Sequence, residues 1–164
     1  MSDALVETVR HAVQPATSID QLGTALVNSL RKFVQFDRLN IGLIDHADYA
    51  FRDAFVHGQN VTGRQPDNVR TLDGTVVEAA MQVDGAYVFS NADLKAWLEQ
   101  FPRFEPVYES GMRTMLAVMI GSQPRPEAAL VLASSDASAY NTVVLASLQR
   151  LAPVLNSKLV EFQK

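Results

Sequence analysis

The sequence of 164 residues contains no cysteine. This absence excludes disulfides, thiolate metal sites, thiol nucleophiles and thioether-linked cofactors, because each of these requires a cysteine sulfur. Long apolar runs are also missing, since none approaches the roughly 20 residues that span a bilayer. The first residues, MSDALVETVRHAV, lack the basic and then apolar order of a signal peptide. We therefore expect a cytoplasmic protein without a membrane segment.

An excess of positive charge is absent as well. The chain has 14 Lys and Arg against 18 Asp and Glu, a formal net charge of -4, and its basic residues are scattered. Direct binding of nucleic acid is not expected, because it depends on clustered basic side chains. An apolar content of 48% and a charged content of 20% are typical of a globular domain. A chain of this length is expected to form one hydrophobic core.

Apolar periodicity predicts helices at both ends of the chain. Residues 3–13 form a short helix, and Thr17 or Ser18 caps a longer one. Helical spacing is kept by its apolar residues Leu22, Leu26, Leu30, Phe33 and Val34. Asn141 caps the last helix, in which Pro153 is expected to cause a bend. The apolar positions of that helix are Val144, Leu145, Leu148, Leu151, Leu155, Leu159 and Phe162.

Alternating apolar residues predict strands in the middle of the chain. Residues 37–45 read as a strand with one apolar face, and residues 50–57 read as its hairpin partner. Residues 59–70 are expected to form a loop. Residues 112–120 and 128–134 are apolar on both alternating sets, which is typical of strands covered on both sides. We expect these two strands to pair as an antiparallel hairpin.

Shorter elements are predicted between the two hairpins. Asp73 is expected to cap a short helix that ends before a glycine, and residues 86–89 form a brief strand. Asn91 is expected to cap a second helix, and Pro102 and Pro106 break the chain after it. The resulting order of elements favours an α+β fold, with the terminal helices sharing one face of an antiparallel sheet. The other face is left for a roofed concavity, the usual form of a ligand site.

Six segments carry a family resemblance: FDRLNIGLID, LDGTVVEAA, YVFSNADL, GMRTMLAVMI, AALVLASS and YNTVVLASLQRLAPVL. Their order and spacing resemble those of GAF domains, over roughly Ser18 to Leu159. We assign residues 18–164 to a GAF-like domain and residues 1–17 to an N-terminal extension. The resemblance implies five or six antiparallel strands, terminal helices behind the sheet, and a pocket roofed by the segments between residues 59 and 110.

GAF domains bind cyclic nucleotides, tetrapyrroles, haem, small metabolites or protein partners, and they pass the result to an output domain. The resemblance therefore implies a sensory domain in a signal-transduction or transcriptional regulator. Some GAF relatives reduce free methionine sulfoxide, but these enzymes use cysteines. We expect no catalytic activity and a small-molecule ligand of unknown identity. The cofactor, if any, is unknown.

Candidate pocket residues follow from matching strand and roof positions. On the sheet they are Asn40, Gly42, Met115, Ala117 and Met119, of which the small residues leave space and the methionines adapt to a ligand. The roof offers Phe89, Trp97, Phe101, Phe104 and Tyr108, whose rings suit a flat ligand; of these, Phe89, Trp97, Phe101 and Tyr108 are the candidate binding residues. Ordinary core packing is the alternative for both sets.

Two polar residues complete the candidate set. Arg113 could bind an anionic ligand, although an ion pair with a carboxylate also explains it. Of the three histidines, only His57 is placed by its strand to face the pocket, and no pair of histidines has the spacing of a metal site. For Arg38, in the FDR segment, we expect a structural role.

The rival interpretation is an interaction or dimerisation module whose pocket is filled by its own side chains. Leu148, Leu155 and Leu159 would then form an apolar seam between helices, and we expect a homodimer in either case. Ala117→Phe separates the interpretations, because a phenylalanine fits an open pocket but overpacks a filled one.

Overall fold

The computed structural model describes residues 2–90, 94–122 and 125–163. In these residues the helices are α1 (Ser2–Val13), α2 (Ile19–Leu30), α3 (Val76–Gln82), α4 (Leu94–Gln100), α5 (Glu105–Glu109) and α6 (Thr142–Phe162), with a 3₁₀ turn at Pro102–Phe104. The strands are β1 (Arg38–Asp45), β2 (Ala50–Gly58), β3 (Val69–Thr71), β4 (Ala86–Ser90), β5 (Thr114–Ile120) and β6 (Ala128–Ser134). None of the described helices combines the length and the apolar character needed to cross a membrane.

The strands form one six-stranded sheet in the order β3-β2-β1-β6-β5-β4. Every neighbouring pair is antiparallel, so the predicted hairpins β1–β2 and β5–β6 are confirmed. The α+β fold class is confirmed with them. Strand β3 begins inside the segment 59–70, which the sequence predicts as a loop, and it ends one residue after that segment. Three residues are too few for an alternating pattern to be recognised.

The terminal helices cover one face of the sheet, which we call the helix face. Leu22, Leu26 and Leu30 of α2 pack in one cluster with Leu148 and Leu151 of α6. The cluster also contains apolar residues of α1 and the inward residues of β1, β5 and β6. The predicted position of the terminal helices is confirmed. The N-terminal helix α1 thus shares its core with the rest of the domain.

The opposite face, which we call the roof face, is covered by α3, α4, the 3₁₀ turn and α5. These four elements are the roof. A second apolar cluster lies between roof and sheet and includes Trp97, Phe101 and Phe104 from the roof, and Met115 and Val131 from the strands. All residues of β5 and β6 are buried, as their two-sided apolar pattern predicts.

A β-bulge in β2 changes which of its residues face the roof. The register with β1 shifts between Ile41 and Gly42, whose partners are Phe55 and Asp53, so Ala54 is the additional residue. Before the bulge Phe51 packs in the roof-face cluster, and after it Phe55 packs against the helix-face cluster. A single alternation therefore does not run through the strand.

Several local predictions differ from the structure. The cap of α3 is Thr75, whose hydroxyl accepts from the Glu78 backbone N–H, and not Asp73. Gly74 donates its backbone N–H to the Glu78 carboxylate, so the capping interactions begin two residues later than expected. The predicted cap Asn91 lies outside the described residues. Ser18 and Asn141 are the caps of α2 and α6, as predicted.

The apolar residues of α6 do not form an exposed seam. Leu148, Leu155 and Leu159 are all buried within their own chain by the helix-face core. The prediction that they mediate a dimer is wrong, because the sheet and α1 cover a wider stripe of α6 than the sequence pattern indicates. The homodimer itself stays a prediction. Helix α6 continues through Pro153 to Phe162.

We predict that Gly23→Ala destabilises the protein. Alanine normally stabilises a helix relative to glycine by about 1 kcal/mol, but a Cβ at position 23 would lie 2.4 Å from the Phe55 ring. Overpacking should outweigh the helix preference and lower the free energy of unfolding by about 1–3 kcal/mol. Urea denaturation measures the change, and Thr24→Ala, at an exposed position of the same helix, is the control. A Gly23→Ala variant as stable as wild type would show that the Phe55 ring moves aside freely.

Candidate functional site

A small cavity lies between the roof face of the sheet and the roof. Its volume is about 20 Å³, which is room for about one water molecule. The lining residues are Arg38, Asn40, Phe51, Arg64, Arg70, Thr75, Val76, Val77, Phe104, Val107, Met115 and Val131. Three arginines in the wall of one small cavity are unusual, because buried charges are costly unless they are paired or hydrogen-bonded.

Arg38, the first residue of β1, holds the chain that follows β2. Its side chain is only 5% exposed, and it donates from Nη1 to the Gln59 carbonyl (2.9 Å) and from Nη2 to the Arg64 carbonyl (2.5 Å). Burial lowers the pKa of Arg38, and the positive charge of Arg70 lowers it further while Asp53 opposes both. The expected structural role of Arg38 is therefore found in the fixing of a loop.

Asp53 is the carboxylate at this site, and it is fully buried on the roof face of β2. Arg70 of β3 donates to it from both terminal nitrogens, and Asn40 of β1 donates from Nδ2 to Oδ1 at 3.0 Å. The Arg70 guanidinium also lies 5.5 Å from the centre of the Phe51 ring. Its Nε atom is buried without a partner in the described chain, which costs about 1–3 kcal/mol when no water takes its place.

Arg64 connects the loop after β2 to the roof. It is 8% exposed, donates from Nη2 to the Arg103 carbonyl at 3.0 Å, and lies 5.2 Å from the centre of the Phe104 ring. Burial, followed by the nearby charge of Arg70, lowers the pKa of Arg64 to about 10. The guanidinium is therefore charged at neutral pH, but in surroundings that disfavour the charge.

The predicted roof residues form a packed aromatic cluster beside the cavity. Ring centres are 5.2 Å apart for Phe89 and Trp97, 5.0 Å for Phe89 and Phe101, and 5.9 Å for Trp97 and Tyr108. In these edge-to-face contacts the rings pack against one another. Of the roof aromatics, Phe104 lines the cavity.

The predicted sheet residues divide in the same way. Asn40 and Met115 line the cavity. The space beside Gly42 is occupied by Phe51, since a Cβ at position 42 would lie 1.8 Å from the ring. Ala117 is fully buried and Met119 is 4% exposed, both within the roof-face cluster. The open volume is thus smaller than expected and lies nearer to β1, β2 and β3.

The two polar candidates lie elsewhere. His57 follows the bulge, so it is on the helix side of the sheet, where its Nε2 is 3.0 Å from Nη2 of Arg31. The expectation that it faces the pocket is wrong, because the bulge inverts the alternation. Arg113 donates to the carbonyls of Tyr108 and Met112 and lies 3.7 Å from the Tyr108 ring centre. Arg113 therefore stabilises the turn before β5, whereas from the sequence we expect it to bind a ligand or a carboxylate.

Sequence reasoning missed Asp53, Arg64 and Arg70. Arg64 and Arg70 come from a segment without periodicity, which predicts only a loop. Asp53 offers a usable signal, since it is a charged residue two positions after the apolar Phe51 in a predicted strand. In the part of the chain that the structure describes, no group of three or more histidine, aspartate and glutamate residues is arranged to hold a metal ion.

Solved structures share this fold. The GAF domain of a phosphoenolpyruvate-protein phosphotransferase from Acinetobacter superposes with a TM-score of 0.78 at 15% identity, covering 99% of this chain and 95% of that one. The GAF domain of a two-component sensor histidine kinase from Bacillus halodurans gives 0.71 at 15%, covering 90% and 97%. A free methionine-R-sulfoxide reductase from Neisseria meningitidis, in complex with its substrate, gives 0.73 at 13%, covering 99% and 90%.

At these identities the likeness shows the fold, and the fold is that of GAF domains. The resemblance noted from the sequence is confirmed at that level. No protein-family model matches the sequence. No curated protein matches it either.

We predict that Asp53→Asn lowers the free energy of unfolding by about 3 kcal/mol, because removing one partner of a buried pair leaves the other uncompensated. The lower end of the usual range applies, since the Arg70 side chain is still 21% exposed. Asp67→Asn is the matched control: Asp67 pairs with Arg52 at the surface and its side chain is 79% exposed. That change should cost at most about 1 kcal/mol in the same denaturation experiment. Equal losses in both variants would contradict the role of Asp53 as the buried ion-pair partner of Arg70, one of the three arginines (Arg38, Arg64 and Arg70) that we call the arginine cluster.

We predict that Ala117→Phe destabilises the ligand-free protein by about 1–3 kcal/mol, because the structure packs this position closely. Since Ala117 does not line the cavity, this loss shows that the space at position 117 is filled and no longer separates the sensory domain from the interaction module. Thermal melting measures the loss, and Ala54→Phe, in the half-buried bulge, is a control for a large ring on the same sheet. An unchanged melting temperature for Ala117→Phe would mean that an open pocket extends to position 117.

Proposed function

We propose that this chain is a non-catalytic sensory domain of GAF type that binds a small molecule in the cavity lined by Arg38, Arg64 and Arg70. One observation carries the proposal: polar groups converge on an enclosed site between sheet and roof, and one of them, Arg70 Nε, is a buried donor with no partner among the described residues. Concave sites with a few convergent polar groups are the usual form of ligand sites.

The arrangement of layers supports signalling through the terminal helices. A single sheet separates the cavity from α2 and α6, and the strands that carry Asn40 and Val131 on the roof face carry Leu39 and Leu132 on the helix face. At the edge of these layers, Arg31 at the end of α2 bonds His57 of β2. A ligand that binds one arrangement of the strands more tightly than another would shift the protein towards that arrangement. The helices that pack on the same strands would then shift with them.

Three features support a binding role over catalysis. The sequence contains no cysteine, and the reductases that resemble GAF domains use cysteines. The histidines lie away from the cavity: His11 is exposed on α1, His46 bonds the Pro126 carbonyl at 2.6 Å, and His57 bonds Arg31. The polar lining residues of the cavity are Arg38, Asn40, Arg64, Arg70 and Thr75, and among the described residues no histidine joins them as a base.

A second candidate is an interaction module with a self-filled pocket. Phe51 occupies the space beside Gly42, and the aromatic roof packs against itself, so much of the expected pocket is closed. In this alternative the arginines only fasten the loop. We favour the sensory function, because apolar residues would close the loop without the cost of burying guanidinium groups. The proposed setting is a cytoplasmic signal-transduction or transcriptional regulator.

Native mass spectrometry of the protein purified from its own host tests the proposal. We expect a stoichiometric small molecule that is lost after mild denaturation and refolding. Hydrogen exchange with and without that molecule should then differ at amides of residues 19–30 and 142–162, because the helices report occupancy. If removal of the molecule changes no exchange in those helices, the binding part of the proposal stands and the signalling part is wrong. If the purified protein carries no small molecule, the interaction module is favoured.

A further inference from the structure

The cavity carries more positive than negative charge. Three guanidinium groups line it, from Arg38, Arg64 and Arg70, and of these Arg70 is the one that pairs with the Asp53 carboxylate. Arg38 and Arg64 instead donate to backbone carbonyl oxygens, which satisfy hydrogen bonds without neutralising charge. Such a site has a higher affinity for an anion than for a neutral or cationic molecule.

The arginines differ in how firmly they are held. Arg38 donates to two carbonyls, whereas the described hydrogen bond of the Arg64 side chain is the one to the Arg103 carbonyl. Arg70 is fixed by Asp53, but its buried Nε has no hydrogen-bond partner in the part of the chain that the structure describes. Arg64 and Arg70 are therefore the two groups with donors to offer, and Asp53 orients Arg70.

We propose that the cavity binds the oxyanion group of a small molecule, a carboxylate or a phosphate, through the guanidinium groups of Arg64 and Arg70. This inference rests on the proposed sensory function and names its ligand class. Guanidinium groups match both oxyanions with parallel N–H donors. At about 20 Å³ the closed cavity is too small for such a group. Entry therefore requires Arg64 to leave the Arg103 carbonyl, and the loop of residues 59–68 to move from the roof.

The chain contains its own reporter for this movement. Trp97 is the sole tryptophan. Its ring centre lies 6.5 Å from that of Phe104, and the Arg64 guanidinium lies 5.2 Å from the same Phe104 ring. When Arg64 turns to an anion, the packing around Phe104 changes. We expect a saturable change in Trp97 fluorescence on binding.

The experiment titrates the protein with inorganic phosphate and, separately, with oxalate, against sodium chloride at equal ionic strength. Melting temperature and Trp97 fluorescence are measured. Phosphate also stabilises proteins because it is excluded from their surfaces, an effect that does not saturate. The decisive quantity is therefore the part of the change in melting temperature and fluorescence that saturates and that is lost in the arginine variants. For wild type we expect a rise of at least about 2 °C with one or both oxyanions. The two arms distinguish a phosphate ligand from a carboxylate ligand.

Arg64→Gln and Arg70→Gln should weaken oxyanion binding by at least about tenfold, because each removes a charged donor. Arg52→Gln is the matched control: Arg52 is in the same sheet but pairs with Asp67 at the surface, so it should bind as wild type does. Should Arg64→Gln fail to fold, Arg64→Lys keeps the charge without the planar fork and should still weaken binding. Equal responses of wild type and the Arg64 variants, or a response to chloride as large as to the oxyanions, would overturn the inference.

The outcome is separable from that of the sensory proposal. A neutral or cationic molecule found by native mass spectrometry, together with no saturable response to phosphate or oxalate, would overturn the oxyanion ligand and keep the sensory function. No co-purified molecule and no oxyanion response would overturn both. A co-purified organic acid or phosphate ester that is lost in Arg64→Gln supports both.

Discussion

The architecture depends on two inner strands of the sheet, β5 and β6, being buried on both faces. Every residue of β5 and β6 is buried, so the sheet needs a cover on each side. The terminal helices supply one cover and the roof supplies the other. The roof packs in one cluster with side chains of β4, β5 and β6, to which β1 and β2 contribute Ile44 and Phe51 among the described residues. The cavity lies at this margin of the cluster, where Arg38 of β1, Arg64 of the loop after β2 and Arg70 of β3 line it.

The arginine cluster shows how that margin is stabilised. Buried guanidinium groups are tolerated there because each has an acceptor: two carbonyls for Arg38, one for Arg64 and the Asp53 carboxylate for Arg70. Well-packed apolar residues commonly stabilise a site as well as a buried ion pair does. The cluster therefore adds little stability that an apolar closure would lack. That the cluster is charged is therefore not explained by stability alone, which is the reason for proposing a binding role.

The sequence allowed most elements to be predicted, because helices and strands with one or two buried faces leave a periodic pattern. Ser18 and Asn141 could be recognised as caps for the same reason, since a cap is a local interaction. The site could not be predicted in the same way. The additional residue Ala54 reverses the alternation of side chains in β2. Asp53, before the bulge, therefore lies on the roof face, and His57, after it, lies on the helix face. Arg64 and Arg70 reach the cavity from a segment whose position depends on tertiary contacts alone.

The pairing of Gly42 with Phe51 has a consequence for how such a domain diversifies. The ring fills space that the glycine leaves on the neighbouring strand, and the same ring forms part of the cavity wall. A smaller residue at position 51 would join that space to the cavity, whereas a larger residue at position 42 would be compatible only with a smaller one at position 51. In related sequences the two positions should covary. The side chain at position 51 thus sets the volume that is open between β1, β2 and the roof.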